Sequence, residues 1–171
     1  MVLDVLDPMF KDGTADLMNL HYIAWGKVRR DGNQLNCQHG PDECQYNRYI
    51  NCAQKYATDQ NQWFPYVKCL AQDLGSIKNT YSQCATDNGL NAAQLDTCAN
   101  GDIGAELEAA AGKATEALSP NLTFVPWIVV NGVSIGSSFE ELQRYVCAAT
   151  TDIDKRPAAC SDLVDALKHM G

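Results

Sequence analysis

The sequence predicts an α/β chain in which a small sheet is interrupted by a long helical insertion. Three observations carry that prediction. Apolar residues alternate over 17–25 and run together over 124–130, the patterns of half-buried and fully buried strands. Between them, residues 37–119 combine helical periodicity with six of the eight cysteines. After them, Asn131-Gly132 supplies a type I′ hairpin turn, and a helical pattern follows. At 171 residues and 46% apolar composition, the chain is long enough for one domain with a sizeable core. Within that single domain (1–171), residues 1–36 and 120–150 make the sheet core, 37–119 the insertion and 151–171 a C-terminal extension.

A formal net charge of −8 argues against nucleic acid or an anionic membrane surface as a partner. No apolar run approaches the ~18 residues of a membrane span. Residues 1–7 alternate apolar side chains with aspartate and lack a basic start, so they do not read as a secretory leader. The eight cysteines (Cys37, Cys44, Cys52, Cys69, Cys84, Cys98, Cys147 and Cys160) are an even count that suits a disulfide framework in an oxidising compartment. That compartment and the missing leader are reconciled if the native N-terminus lies upstream. Zinc is the rival use of so much sulfur. Structural zinc sites pair ligands about two to four residues apart, and no two cysteines here are that close. His39 neighbours a cysteine, while His21 and His169 stand isolated. Neither a metal nor a cofactor is expected.

Residues 1–10 read as the tail of a helix, with Val2, Leu3, Val5, Leu6 and Met9 on its apolar face and Lys11-Asp12-Gly13 ending it. It opens without a capping residue, as a helix cut rather than begun. Over 17–25, Met18, Leu20, Tyr22 and Ala24 share one strand face; His21 lies on the other, where an edge histidine is a simpler reading than a catalytic one. Residues 26–36 are a polar connector. Cys37-Gln38-His39-Gly40-Pro41-Asp42-Glu43-Cys44 is then a turn and a helix start. Gly40 accepts positive φ, Pro41 fits the first helical turn, and Asp42 and Glu43 meet the electropositive helix end. Cys44 and Cys52 fall on one helix, separated by roughly 12 Å of rise, whereas a disulfide tolerates about 7 Å between Cα atoms. They do not pair with each other.

Helices are expected over 43–57 and 61–74, the second burying Trp63, Phe64, Val67 and Leu70 as core rather than as a ligand box. Ser76 caps a short helix carrying Ile77, Tyr81 and Cys84, which Asp87-Asn88-Gly89 stops. Asn91 with Gln94 resembles a capping box for the next, with Leu95 and Cys98 inward. Cys84 with Cys98 is a natural local pair, Cys52 with Cys69 staples the helices before it, and Cys147 with Cys160 closes a late loop. Spacing leaves the connectivity open, because eight cysteines allow about 105 pairings. Residues 103–118 form an amphipathic helix that buries Ile103, Leu107, Ala110, Ala111, Ala114 and Leu118.

Asn121-Leu122-Thr123 is a glycosylation sequon in a loop, with Asn121 the acceptor. Residues 124–130 are the strongest strand signal and Val133-Ser134-Ile135 the return strand. Pro126 is the anomaly, since it removes a ladder donor and belongs at an edge, a strand start or a special site. Ser138 and Glu141 form a second capping box, opening a helix with Phe139, Leu142 and Val146 inward. Ser161 caps a last helix using Val164 and Leu167. Helix tail, strand, helical insertion, strand, hairpin, strand, helix is the thioredoxin-like arrangement without its first strand and half its first helix.

Cys37-Gln38-His39-Gly40-x-x-Glu43-Cys44-x-x-Asn47-x-x-x-x-Cys52 resembles the signature of the gamma-interferon-inducible lysosomal thiol reductase family. Ile23-Ala24-Trp25-Gly26 stands where that family has an apolar-Pro-Tyr/Trp-Gly segment. Cys69, Cys84 and Cys98-x-x-Gly101-Asp102-x-Gly104 are similar to its later cysteines, Val125-Pro126-Trp127-Ile128-x-Val130-Asn131-Gly132 to its proline-strand segment, and Cys147 and Cys160 to its last pair. The resemblance covers about residues 1–160. It implies a lysosomal or secreted thioredoxin-fold glycoprotein that reduces disulfide-bonded protein substrates at acidic pH. In such enzymes the N-terminal thiolate of a Cys-x-x-Cys attacks the substrate disulfide, and the second thiol resolves the mixed disulfide. It further implies that Pro126 is cis, and that Val125 before it offers backbone hydrogen bonds to the bound peptide.

The sequence departs from that pattern where the chemistry lies. It contains no Cys-x-x-Cys, and its eight cysteines all match the family's other cysteines. The expectation is therefore a family member without its catalytic dithiol in these residues, inactive by itself. The alternative is a non-enzymatic secreted, disulfide-stapled binding protein on the same scaffold; a metal-binding or unrelated helical protein is a third reading. No other active site presents itself, since Asp42-Glu43 and Glu140-Glu141 are helix-start charges. His39 reads as a structural part of the Cys37 turn rather than a tuner of a thiol. A bond between Cys37 and Cys44 would cross that turn, where a staple is a simpler reading than an exchangeable bridge.

Overall fold

In the computed structural model, residues 1–32, 34–72 and 77–161 are described, the side chains of 77–79 aside. Residues that start and stop helices set most of the element order. A π-helical segment (Val2–Leu6) runs into α1 (Asp7–Lys11), which stops at Gly13 with φ 85°, and a 3-10 turn (Thr14–Leu17) follows. Hairpin strands β1 (Arg29–Asp31) and β2 (Gln34–Asn36) lead to α2 (Pro41–Tyr56), α3 (Gln60–Gln72), α4 (Ile77–Asp87), α5 (Ala92–Asn100) and α6 (Asp102–Glu116). A second hairpin, β3 (Val129–Val130) with β4 (Val133–Ser134), precedes α7 (Leu142–Ala149). The described residues are thus mostly helical, with two small antiparallel sheets among them. No helix among the described residues is long and apolar enough to cross a membrane.

The chain divides into two compact units, one of Tyr22–Val125 and one of Met1–His21 with Pro126–Gly171. In the first, α2 packs against α5 and α6, and α3 against α4. Its core contains Tyr49, Ile50, Trp63, Phe64, Tyr66, Val67, Leu70, Leu95 and Ala99. Asn91 accepts the Gln94 backbone N–H at 3.0 Å to cap α5, and Asn88-Gly89 turns the chain out of α4. In the second unit, Leu6, Met9, Ala15, Ile135, Leu142, Val146 and Cys147 are buried together with Cys160. Gln143 donates to Asp12 Oδ2 at 2.6 Å and to Thr14 Oγ1 at 2.9 Å, joining α7 to the loop after α1.

The strands depart most from expectation. Residues 17–25 form no strand: Leu17 ends a 3-10 turn, and 18–23 are irregular. A strand requires a ladder partner, but here the carbonyls of Tyr22, Ala24 and Trp25 are taken by side chains of α2. Of 124–130 only Val129 and Val130 pair, with Ser134 and Val133; Phe124, Val125 and Pro126 bend instead. The 26–36 connector is itself a hairpin, with Arg30 opposite Leu35; its exposed polar strands carry no alternating apolar signal. Ser138 makes no side-chain cap, and Glu141 pairs with Arg144 at 2.7 Å rather than closing a capping box.

The buried face of α6 is also rotated from expectation. Gly104, Glu108, Ala111 and Gly112 are buried, whereas Ile103 is exposed, as are Ala110 and Ala114. Close approach decides this. A Cβ on Gly112 would lie 2.9 Å from the Trp25 ring, and one on Gly104 would collide with the Cys98 carbonyl. Glycine is invisible to an apolar stripe yet lets the helix pack closest on its glycine side. The expected Ser76 cap, the Ile77 side chain and the helix after Ser161 lie outside the described residues.

Candidate functional site

The turn before α2 gathers the charged and sulfur groups singled out in the sequence. After β2 the chain reverses at Cys37, whose carbonyl accepts the Gly40 N–H at 3.2 Å. Gly40 has φ 93°, which the left-handed region allows to glycine, and Pro41 opens α2. Glu43 Oε2 accepts the backbone N–H of His39 at 2.6 Å and lies 3.3 Å from His39 Nδ1. His39 is thereby tied to the turn by the helix it precedes. Cys44, still in the first turns of α2, is bonded to Cys37 with Cα atoms 5.6 Å apart.

Further along α2, an amide stripe reads the segment 22–25. Asn47 Nδ2 donates to the Trp25 carbonyl at 3.5 Å, Asn51 Nδ2 to that of Ala24 at 3.2 Å and Gln54 Nε2 to that of Tyr22 at 2.8 Å. Spacings of four and three residues put these amides on one helical face. Arg48, on a different face, donates from Nε and Nη2 to the buried Glu108 carboxylate of α6 at 3.0 and 2.8 Å. Tyr49 donates to Asp96 Oδ1 at 2.7 Å and stacks on Tyr81 at 4.4 Å between centroids. Burial first, and then that hydrogen bond to a carboxylate, holds the Tyr49 hydroxyl well above its ordinary pKa. Asn51, Gln54, Arg48 and Glu108 were not singled out in the sequence. The signal that could have found the first two is the repetition of amides every three or four residues after Asn47.

All eight cysteines are paired. Cys52 bonds Cys98 and Cys69 bonds Cys84, in place of the expected 52 with 69 and 84 with 98. The reason is packing: α2 lies more closely against α5 than against α3, so Cys52 reaches Cys98 and leaves Cys69 to Cys84 on the adjacent α3 and α4. Cys147 bonds Cys160. No group of three or more His, Cys, Asp or Glu residues among the described ones is placed to hold a metal ion.

Val125 is 46% exposed. A Cβ built on Gly26 would lie 4.0 Å from Val125 Cγ1 and 3.8 Å from Glu43 Oε1, so this residue borders the turn. The Val125-Pro126 bond is not cis, against the implication of the resemblance; the cis X-Pro bond of the described residues is Ser119-Pro120. Around Pro126 the expected ladder is not formed, and a proline in a bend has no strand register to satisfy. Asn121 is exposed in the loop before it.

The open face of this unit is a cleft of about 570 Å³ beside the turn, lined by Arg30, Gln34, Cys44, Gln45, Arg48 and Glu108 among others. A helical scaffold with every cysteine in a bridge, and with one bridge at a helix start beside a cleft, defines a disulfide-stabilised helical protein. Comparison with known proteins makes this specific. Residues 1–88 match the family model described as gamma interferon inducible lysosomal thiol reductase. A GILT-like protein of Caenorhabditis elegans is 33% identical over 91% of this chain and 48% of its own length. A gamma-interferon-responsive lysosomal thiol protein of Arabidopsis thaliana is 25% identical over 94% of this chain and 68% of its own. A gamma-interferon-inducible lysosomal thiol reductase of Carassius auratus is 28% identical over 85% and 60% respectively. The chain belongs to the gamma interferon inducible lysosomal thiol reductase family. It spans about half the length of the nematode relative.

Proposed function

We propose that the protein to which this chain belongs reduces disulfide bonds of protein substrates in an acidic lysosomal or secreted setting, with its attacking dithiol outside these eight sulfurs. The observation that carries this reading is the pairing of all eight cysteines in a chain without Cys-x-x-Cys, in a family whose relatives are named as thiol reductases. A sulfur is no thiolate nucleophile while its bridge is closed. On this reading the 171 residues supply a scaffold: one thioredoxin-like domain completed by further sheet, with the stapled helices as its insertion. Val125 and Pro126 present backbone to the substrate peptide, and Asn121 carries glycan. The exposure of Val125 and Asn121 supports those two assignments.

The test is a protein-disulfide reduction assay at acidic pH, run on this chain alone and on a form extended upstream. Activity in the extended form and none in the short one is expected. Turnover by the short form would overturn the placing of the dithiol. The rival reading, a secreted binding protein that performs no chemistry, draws on the same absence of free sulfur. Inactivity of both forms, with upstream sequence lacking paired cysteines, would establish it instead.

A further inference from the structure

We propose that the Cys37–Cys44 bridge is itself a thiol-exchange site that accepts small, carboxylate-bearing thiols through the cleft beside α2. Among the four bridges it is the one with both cysteines half-buried rather than buried. Cys52 and Cys98 are 0% and 1% exposed and Cys147 and Cys160 1% and 0%, while in the remaining bridge Cys84 is 3% exposed and Cys69 half-buried. Cys37 and Cys44 are both half-buried. Exchange requires a thiolate to reach a bridge sulfur, which leaves this bond and the Cys69 end of its neighbour open to attack, and the cleft decides between them. Cys44 also lines the cleft of about 570 Å³, which has room for a small thiol. Two guanidiniums, Arg30 and Arg48, and one carboxylate, Glu108, are the charged groups of its lining. Their sum is positive and favours an anionic guest.

Opening the bridge leaves the turn its other ties: the Gly40 N–H to Cys37 carbonyl bond, the Glu43 contacts to His39, and Pro41 at the helix start. The step balances without further reagents. A first thiolate attacks Cys44 Sγ from the cleft, the Cys37–Cys44 bond breaks, and its electron pair leaves on Cys37 Sγ, which takes a proton. A second molecule of the same thiol attacks the mixed disulfide at the small thiol's sulfur and releases Cys44 as a thiolate. Position in the first turns of a helix favours that thiolate. Two thiols are oxidised to one external disulfide, and one protein disulfide is reduced to two thiols.

The experiment treats the intact chain with glutathione, and in parallel with cysteamine at matched thiolate concentration. Free sulfurs are alkylated at intervals and mapped by mass spectrometry, with far-UV circular dichroism recorded alongside. Cys37 and Cys44 should be labelled about tenfold sooner than any other pair, with the helical signal retained. Glutathione should outpace the cationic cysteamine, and Arg30→Gln should narrow that gap. Simultaneous opening of all four bridges, earlier opening of another, or labelling only after loss of helix would overturn the proposal. Equal or faster reaction with cysteamine would overturn the choice of ligand. The reduction reading above is tested apart from this, by turnover of a protein substrate: bridge opening by small thiols without such turnover leaves that reading standing.

Discussion

Glu108 is 3% exposed, and its carboxylate receives two hydrogen bonds from Arg48. A buried ion pair contributes little over a well-packed apolar pair, but half of one is costly because a charge is left uncompensated. Arg48→Met should therefore destabilise the chain by about 3 kcal/mol, while Arg48→Met with Glu108→Leu should recover most of it. Urea unfolding midpoints with the bridges intact would show this; additive losses would mean that the pair is not the source. Tyrosines define the alkaline limit. Burial raises the hydroxyl pKa of Tyr22 and Tyr66, and burial with the bond to Asp96 raises that of Tyr49. A folded value above the unfolded one, about 10, means that the neutral phenol is favoured in the fold. That stability is complete below about pH 10 and is lost as pH rises through the folded values. Absorbance near 295 nm should show these three of the seven tyrosines ionising only as the chain unfolds. Smooth ionisation of all seven near pH 10 in a still-folded protein would contradict it.

At the scale of elements, α6 poses two opposing effects at one position. Alanine is favoured over glycine inside a helix by about 1 kcal/mol, but a Cβ on Gly112 meets the Trp25 ring at 2.9 Å. Trp25 is 4% exposed and has little room to retreat, and overpacking costs about 1–3 kcal/mol. Gly112→Ala should therefore be net destabilising by about 1 kcal/mol, whereas Ala110→Gly on the exposed face should cost only the helix propensity, also about 1 kcal/mol. A calorimetric rise in the melting temperature of Gly112→Ala would show that the ring gives way. The same helix shows what was legible. Helix limits were readable because their causes are local: Gly13, Gly40-Pro41, Asn88-Gly89 and Asn91 act within one turn of the boundary. The hairpin at Asn131-Gly132 was readable because its partners, Val129-Val130 and Val133-Ser134, are local. The longer strands around it were not, because they needed partners further along the chain. The apolar run around Tyr22, Ala24 and Trp25 looks like a strand until the amides of Asn47, Asn51 and Gln54 occupy its carbonyls. Of the candidate site, the Cys37 turn was legible as a turn, while the cleft and the Arg48–Glu108 pair depend on α6 arriving from sixty residues away.

For the molecule as a whole, the bridges differ in how much chain they constrain. Cys52–Cys98 spans 46 residues and Cys37–Cys44 spans 7. In the chain-entropy model these contribute about 4 and about 2 kcal/mol, through the unfolded state. Packing widens the gap, because Cys52 and Cys98 are fully buried between α2 and α5 and their truncation leaves a cavity. The pairing of sulfurs by helix neighbours, unreadable from spacing, therefore determines which bond the helical unit depends on. Replacing Cys52 and Cys98 together by alanine should lower the thermal midpoint most within residues 22–125, Cys69 with Cys84 less, and Cys37 with Cys44 least. The last variant should keep its helical circular dichroism, since Gly40, Pro41 and the His39–Glu43 contact still define the turn. If it instead unfolds as readily as the Cys52–Cys98 variant, the short bridge organises the start of α2. Reduction by small thiols would then cost the protein its fold, and an exchange role there would be excluded on stability grounds.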